Sequence, residues 1–116
     1  MTDATVLFAG IPVADFPAAV SWYDRLFGRP ADIVVKHDEV MWCVAEAAWL
    51  YIVEDPVRAG NGSVTMAVAD LEEALAELGD RGITGPPIET VAGAGRKASL
   101  ADPDGNLVAL VEVDPH

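Results

Sequence analysis

Residues 99–113 read SLADPDGNLVALVEV, a tight turn set between two apolar runs. Within Asp102-Pro103-Asp104-Gly105-Asn106, proline pre-sets its own φ and the aspartates can bond nearby backbone. Gly105 can take positive φ without steric cost. The flanks, Lys97–Ala101 and Leu107–Val113, therefore read as antiparallel strands. The second flank does not alternate: Leu107, Val108, Ala109, Leu110 and Val111 are all apolar. A strand apolar on both faces needs cover on both, a helix on one side and a recess or second layer on the other. The stretch thus predicts a curved sheet with helices outside and a pocket inside.

Upstream, the same grammar occurs twice. Thr5–Ile11 reads as a strand closed by Pro12. Asp15 then caps a helix that carries Pro17 in its first turn and ends at Gly28. Phe16, Ala19, Val20, Tyr23, Leu26 and Phe27 fall at helical spacing, with Asp24 and Arg25 facing outward. Three strands follow, Asp32–His37, Val40–Glu46 and Trp49–Glu54. Residues 55–62, DPVRAGNG, have the composition of a connector. Ser63–Ala69 then restarts the pattern. Asp70 caps a second helix, with Glu73 three residues on and a buried stripe of Leu71, Ala74, Leu75 and Leu78. This helix ends at Gly79 or Gly82, and Pro87–Ala92, Arg96–Ala101 and Asn106–Val113 supply three more strands. Val13-Ala14-Asp15 recurs as Val68-Ala69-Asp70 at the same point in the same order of elements, which marks an internal duplication. The expected fold is α+β: two βαβββ modules (5–54 and 63–113) within one domain spanning 1–116, which together enclose a cleft.

Composition limits the partners. The chain has 116 residues, 52% of them hydrophobic, enough to bury roughly two-thirds of its unfolded surface. Seven Lys and Arg stand against 19 Asp and Glu, a formal net charge of −12. Phosphate-backbone binding needs clustered cations, and no basic patch is visible, so nucleic acid is not an expected partner. No apolar run reaches the ~18–20 residues of a membrane span. The N-terminal MTDATVLFAG lacks a basic region, so a secretory leader is not expected. One cysteine, Cys43, fits a reducing cytoplasm.

Several residue groups together resemble the vicinal oxygen chelate superfamily of glyoxalase I, bleomycin-resistance proteins and extradiol dioxygenases. They are Ile11-Pro12-Val13-Ala14-Asp15, Trp22-Tyr23-Asp24-Arg25-Leu26-Phe27-Gly28, Val68-Ala69-Asp70, Gly95-Arg96 and Asp102-Pro103-Asp104-Gly105-Asn106. The resemblance covers nearly the whole chain. It implies a U-shaped eight-stranded sheet, commonly completed by homodimerisation. It also implies that enzymes of the family hold a divalent metal on strands one, four, five and eight. The matching positions here are Phe8, Tyr51 (or its neighbours Leu50 and Ile52), Ser63 and Ala109. None is a carboxylate or an imidazole, so no metal and no cofactor are expected.

Other chemistry is sparse. A catalytic divalent site takes about three protein ligands, yet only two histidines exist: His37, in a solvated turn with Asp38 and Glu39, and the terminal His116. Cys43 sits in an apolar strand and reads as an inert buried thiol. Ser63 and Ser99 have no neighbouring base in sequence. Gly93-Ala94-Gly95 opens no helix and is no phosphate loop, and Glu54 and Glu112 close strands. No catalytic residue is assigned. By the resemblance, the inner face of the cleft carries Phe8, Trp42, Trp49, Tyr51, Ser63, Thr65, Ser99, Ala109 and Val111, an aromatic recess with a few hydroxyls. The expectation is a cytoplasmic, homodimeric, metal-free small-molecule-binding protein similar to bleomycin-resistance proteins, sequestering an aromatic or cationic compound. The alternatives are a metal-dependent lyase or dioxygenase, and a structural or partner-binding dimer whose cleft is filled.

Overall fold

A computed structural model describes residues 2–85, 87–93 and 95–113. His116 and Ala94 lie outside the described residues. The elements run β1 (Leu7–Val13), α1 (Phe16–Phe27), β2 (Ile33–Lys36), β3 (Glu39–Ala45), β4 (Ala48–Glu54), β5 (Ser63–Ala67), α2 (Leu71–Asp80), β6 (Glu89–Val91), β7 (Gly95–Ala101) and β8 (Leu107–Val113). This is the α+β pair of βαβββ modules that the duplication predicts. The eight strands divide into two four-stranded mixed sheets, ordered β1-β4-β3-β2 and β5-β8-β7-β6. In each sheet the strand that opens the module runs parallel to the strand that closes it.

β1 begins and ends two residues later than its sequence suggests, because Pro12 does not stop it. β1 bonds only to β4, and an edge strand has one row of amides free of the ladder, where a missing N–H costs nothing. The first helix follows its signals: Asp15 accepts the Ala18 amide at 3.1 Å, and Gly28 closes the helix at φ 71°. Its buried side includes Trp22 as well as Ala19, Tyr23 and Leu26. The second helix is capped by Asp70, which accepts the Glu73 amide at 3.0 Å, and Glu72 and Glu73 in its first turn suit the positive end of the dipole. Gly82, not Gly79, turns the chain out of it. At φ 85° it lets Ile83 return an amide bond to the Leu78 carbonyl.

Each sheet packs one face under its helix. In the first module that face carries Ile11, Val13, Val40, Trp42, Leu50 and Ile52, all buried. In the second it carries Ala98, Leu100, Val108 and Leu110, also buried. The opposite faces are apolar but open in part: Phe8 is 54% exposed, Leu107 50% and Val113 57%. The apolar character of β8 on both faces is thus answered by helix on one side and by a partly open face, the concave face of the expected cleft, on the other.

The DPDGN turn joins β7 to β8 with Gly105 at φ 90°, as its chemistry predicts. It also ties the modules together. One oxygen of the buried Asp102 accepts the Asp104 and Asn106 amides, and the other accepts the Tyr23 hydroxyl of α1 and the Asn106 side-chain amide, all at 2.9 Å. Asn106 then reaches the Pro12 carbonyl at 2.9 Å and accepts the Gly62 amide at 2.7 Å. Burial, then the neighbouring Asp102 charge, holds the Tyr23 phenol well above its ordinary pKa. A second tie runs from α2 to α1, where the Arg81 guanidinium donates to the Arg25 and Leu26 carbonyls, the orphan acceptors of a helix end.

Candidate functional site

Strand registers sort the predicted site residues by face. Phe8 lies opposite Trp49, and Gly10 opposite Tyr51, so Phe8, Trp49 and Tyr51 share the concave face of the first sheet. Gly10 is there for a reason of space: the Tyr51 ring lies over it, and any side chain at position 10 would collide with that ring. In the second sheet Thr65 lies opposite Ala109, Ser99 opposite Ala109 across β7, and Ser63 opposite Leu107. Ser63, Thr65, Ser99, Ala109 and Val111 therefore share the second concave face.

Trp42 is the correction. It points to the helix side, fully buried, with its ring 6.0 Å from Tyr23 and 5.4 Å from Phe27. Its indole N–H donates to the Arg29 carbonyl at 3.1 Å. The alternation of β3 leaves this open from sequence, because Trp42-Val44 and Met41-Cys43 are both apolar pairs. The aromatic cluster of α1 and the Arg29 carbonyl decide it by giving the indole ring neighbours and a hydrogen-bond acceptor. Cys43 takes the other face and is half-buried rather than buried, its thiol 3.4 Å from the Ala45 carbonyl.

Recesses lie on both sides of the sheets. One, of about 300 Å³, is lined mostly by helix-side residues, Leu7, Ala9 and Leu50 with Val64 and Met66, and reaches Trp49 and Thr65 at its edge. A second, of about 270 Å³, lies on the second sheet among Thr65, Val91, Lys97, Val111 and Val113. Thr65 belongs to both. A third recess of about 260 Å³ sits between the helices on the outer side, with Leu26, Phe27, Leu78 and Arg81 in its wall. Lys97 is the residue sequence reasoning missed. Its two-residue spacing from Ser99 along β7 was the signal that puts it on the same face.

The metal positions can now be tested against their donors. Of the three candidates on β4, Leu50 and Ile52 are buried under the helix and Tyr51 faces the concave side. The set is then phenyl, phenol, hydroxyl and methyl, with no anionic or imidazole donor, and it does not fit a divalent ion. Among the described residues no three His, Cys, Asp or Glu gather at ligand distance. His37 is on the β2–β3 turn, 4.0 Å from Asp38 and exposed. Glu112 turns its carboxylate to the helix side of β8. It accepts the Leu71 amide at 2.8 Å and an Arg96 N–H at 2.9 Å, and these bonds hold its carboxyl below the usual range. No helix among the described residues is long and apolar enough to cross a membrane.

The sequence matches the family model of the Glyoxalase/Bleomycin resistance protein/Dioxygenase superfamily over residues 5–110. A glyoxalase/bleomycin resistance protein from Catenulispora acidiphila is similar at 39% identity and a TM-score of 0.89, over 96% of this chain and 100% of that one. A bleomycin-binding protein complexed with bleomycin is similar at 22% identity and TM-score 0.75, over 97% and 100% of the two chains. A lactoylglutathione lyase from Agrobacterium tumefaciens is similar at 15% identity and TM-score 0.75, over 96% and 95%. The likeness to these last two is one of fold. No curated protein matches the chain in sequence.

Proposed function

Because the chain belongs to the glyoxalase/bleomycin resistance protein/dioxygenase superfamily, we propose that it is a metal-free member that binds a small aromatic compound on its concave surface and sequesters it without turnover. The observation that carries this reading is the donor set. The scaffold is retained, while the four positions that would grip an ion hold Phe8, Tyr51, Ser63 and Ala109. The rings of Phe8, Trp49 and Tyr51 offer stacking area, and the hydroxyls of Ser63, Thr65 and Ser99 offer a few oriented hydrogen bonds, the mix of a small-molecule site. A similar protein whose structure holds bleomycin supports ligand binding as the use of this fold. The net charge of −12 supports a cationic compound as a second choice of ligand.

The protein acts as a homodimer in this reading. Exposed Phe8, Leu107 and Val113 lie on the concave faces, where a second copy would remove them from water. A reducing cytoplasm is the proposed compartment, consistent with its single cysteine. Tryptophan fluorescence tests the reading directly. Titration of the purified protein with a panel of planar aromatic compounds is expected to give a saturable change that Trp49→Phe abolishes. No saturable change across the panel, or a stoichiometric divalent metal retained through purification, would overturn it.

A further inference from the structure

Seven side chains carry positive charge, and six of them are committed to protein oxygens. Arg29 pairs with Asp32, Lys36 with Asp38, Arg58 with Asp55, and Arg96 with Glu72 and Glu112. Arg25 donates to the Ser21 carbonyl, and Arg81 to the end of α1. Lys97 is the exception: among the described residues no carboxylate or carbonyl accepts from its ammonium. It projects from the middle of β7 on the concave face, half-buried, into the recess of about 270 Å³ that it shares with Thr65, Val91 and Val111.

In a chain with 19 carboxylates, a half-buried lysine with no carboxylate partner among the described residues stands out. Glu112 borders the recess but is occupied by Arg96 and the Leu71 amide. Glu89 stands opposite Lys97 on the edge strand, exposed and outside ion-pair distance. Lys97 lies on β7, away from the four strands whose positions match the family's metal ligands, so it is not a relic of a metal site.

We propose that Lys97 is the anchor for an anionic group, a carboxylate or a related oxyanion, on the ligand, with the Thr65 hydroxyl across β8 in the same recess and the aromatic body extending over the apolar concave surface. This rests on the ligand-binding reading above and narrows its ligand from aromatic or cationic to aromatic and anionic. Arg96 and Glu112 also border the recess but pair with each other, and a charge-assisted bond beside Val91, Val111 and Val113 makes the anion the better occupant despite the acidic whole.

A matched pair of probes tests it: 2-naphthoate and 2-naphthylmethylammonium, titrated against the full chain by isothermal calorimetry. The naphthoate is expected to bind about tenfold more tightly. Lys97→Met is expected to erase the difference and Lys97→Arg to keep it. Tighter binding of the ammonium, or a naphthoate preference that survives in Lys97→Met, overturns the anion anchor and leaves the ligand-binding reading standing. Saturable binding of neither probe overturns both. Sedimentation of Lys97→Met separates a further outcome: if the substitution shifts the monomer–dimer balance and leaves the probe preference intact, Lys97 serves a second copy of the chain, and the anchor is overturned.

Discussion

The residues from 5 to 54 carry all of the protein's three Phe, three Trp and two Tyr, and the equivalent residues from 63 to 113 carry none. Both stretches fold to the same βαβββ order with the same strand pairing. The first module fills the space under its helix with rings: Trp22 meets Tyr23 edge-on at 4.8 Å, and Tyr23, Phe27 and Trp42 close the cluster. The second module fills the same space with Leu71, Leu78, Leu100, Val108 and Leu110 and spends its polar chemistry on the DPDGN turn. Topology is set by the spacing of apolar positions and by the caps and turns, so either filling serves. The difference reaches the concave side as well, where one sheet offers aromatic faces and the other hydroxyls and a single ammonium.

If the two cores differ in this way, truncation should cost more in the first. Trp42→Ala is expected to destabilise by about 3–5 kcal/mol, and Leu100→Ala by about 2–3 kcal/mol, both read from guanidinium unfolding midpoints at unchanged slope. Equal costs would show that the ring cluster packs no better than the aliphatic one.

The joint between the modules is the next place to press. Asp102→Ala removes the acceptor of the Tyr23 hydroxyl, two backbone amides and the Asn106 side chain. Leaving such donors unpaired in a buried site is expected to cost about 3 kcal/mol. A double-mutant cycle with Tyr23→Phe should show coupling of about 1–2 kcal/mol. Additive effects would mean that the modules are held by packing alone.

The smallest effect belongs to the second module's helix. The carboxyl of Glu112 has its pKa lowered by the Leu71 amide and Arg96. A lowered native pKa contributes stability above the unfolded carboxylate range, about pH 4.3, which is lost as pH falls through the native value. Glu112→Gln should therefore flatten the acid limb of the stability profile below about pH 4.3 and leave the neutral region with a small constant loss. An unchanged acid limb in urea titrations between pH 2 and 6 would remove the ion pair from the account.

Caps, turns and apolar spacing are local, and they were legible: Asp15, Asp70, Gly28 and the DPDGN turn all stand where their chemistry puts them. Pro12 misled because a proline's effect depends on whether its strand is an edge, which a single strand's sequence does not state. Of the candidate site, the grouping of residues by strand face was legible and the choice of face was not. Parity along a strand groups Trp49 with Tyr51 or Ser63 with Thr65, but gives no sign for which face is covered.

By itself the sequence determined the duplicated βαβββ order and the N-terminal caps of both helices, because these depend on residues a few positions apart. Only the tertiary structure decided that Trp42 turns into the helix cluster, that Tyr23 and Asp102 meet across 79 residues, and that Lys97 has no partner among the described residues. Those outcomes are contests for space and hydrogen bonds between distant segments, and they are settled only when the sheets and helices come together.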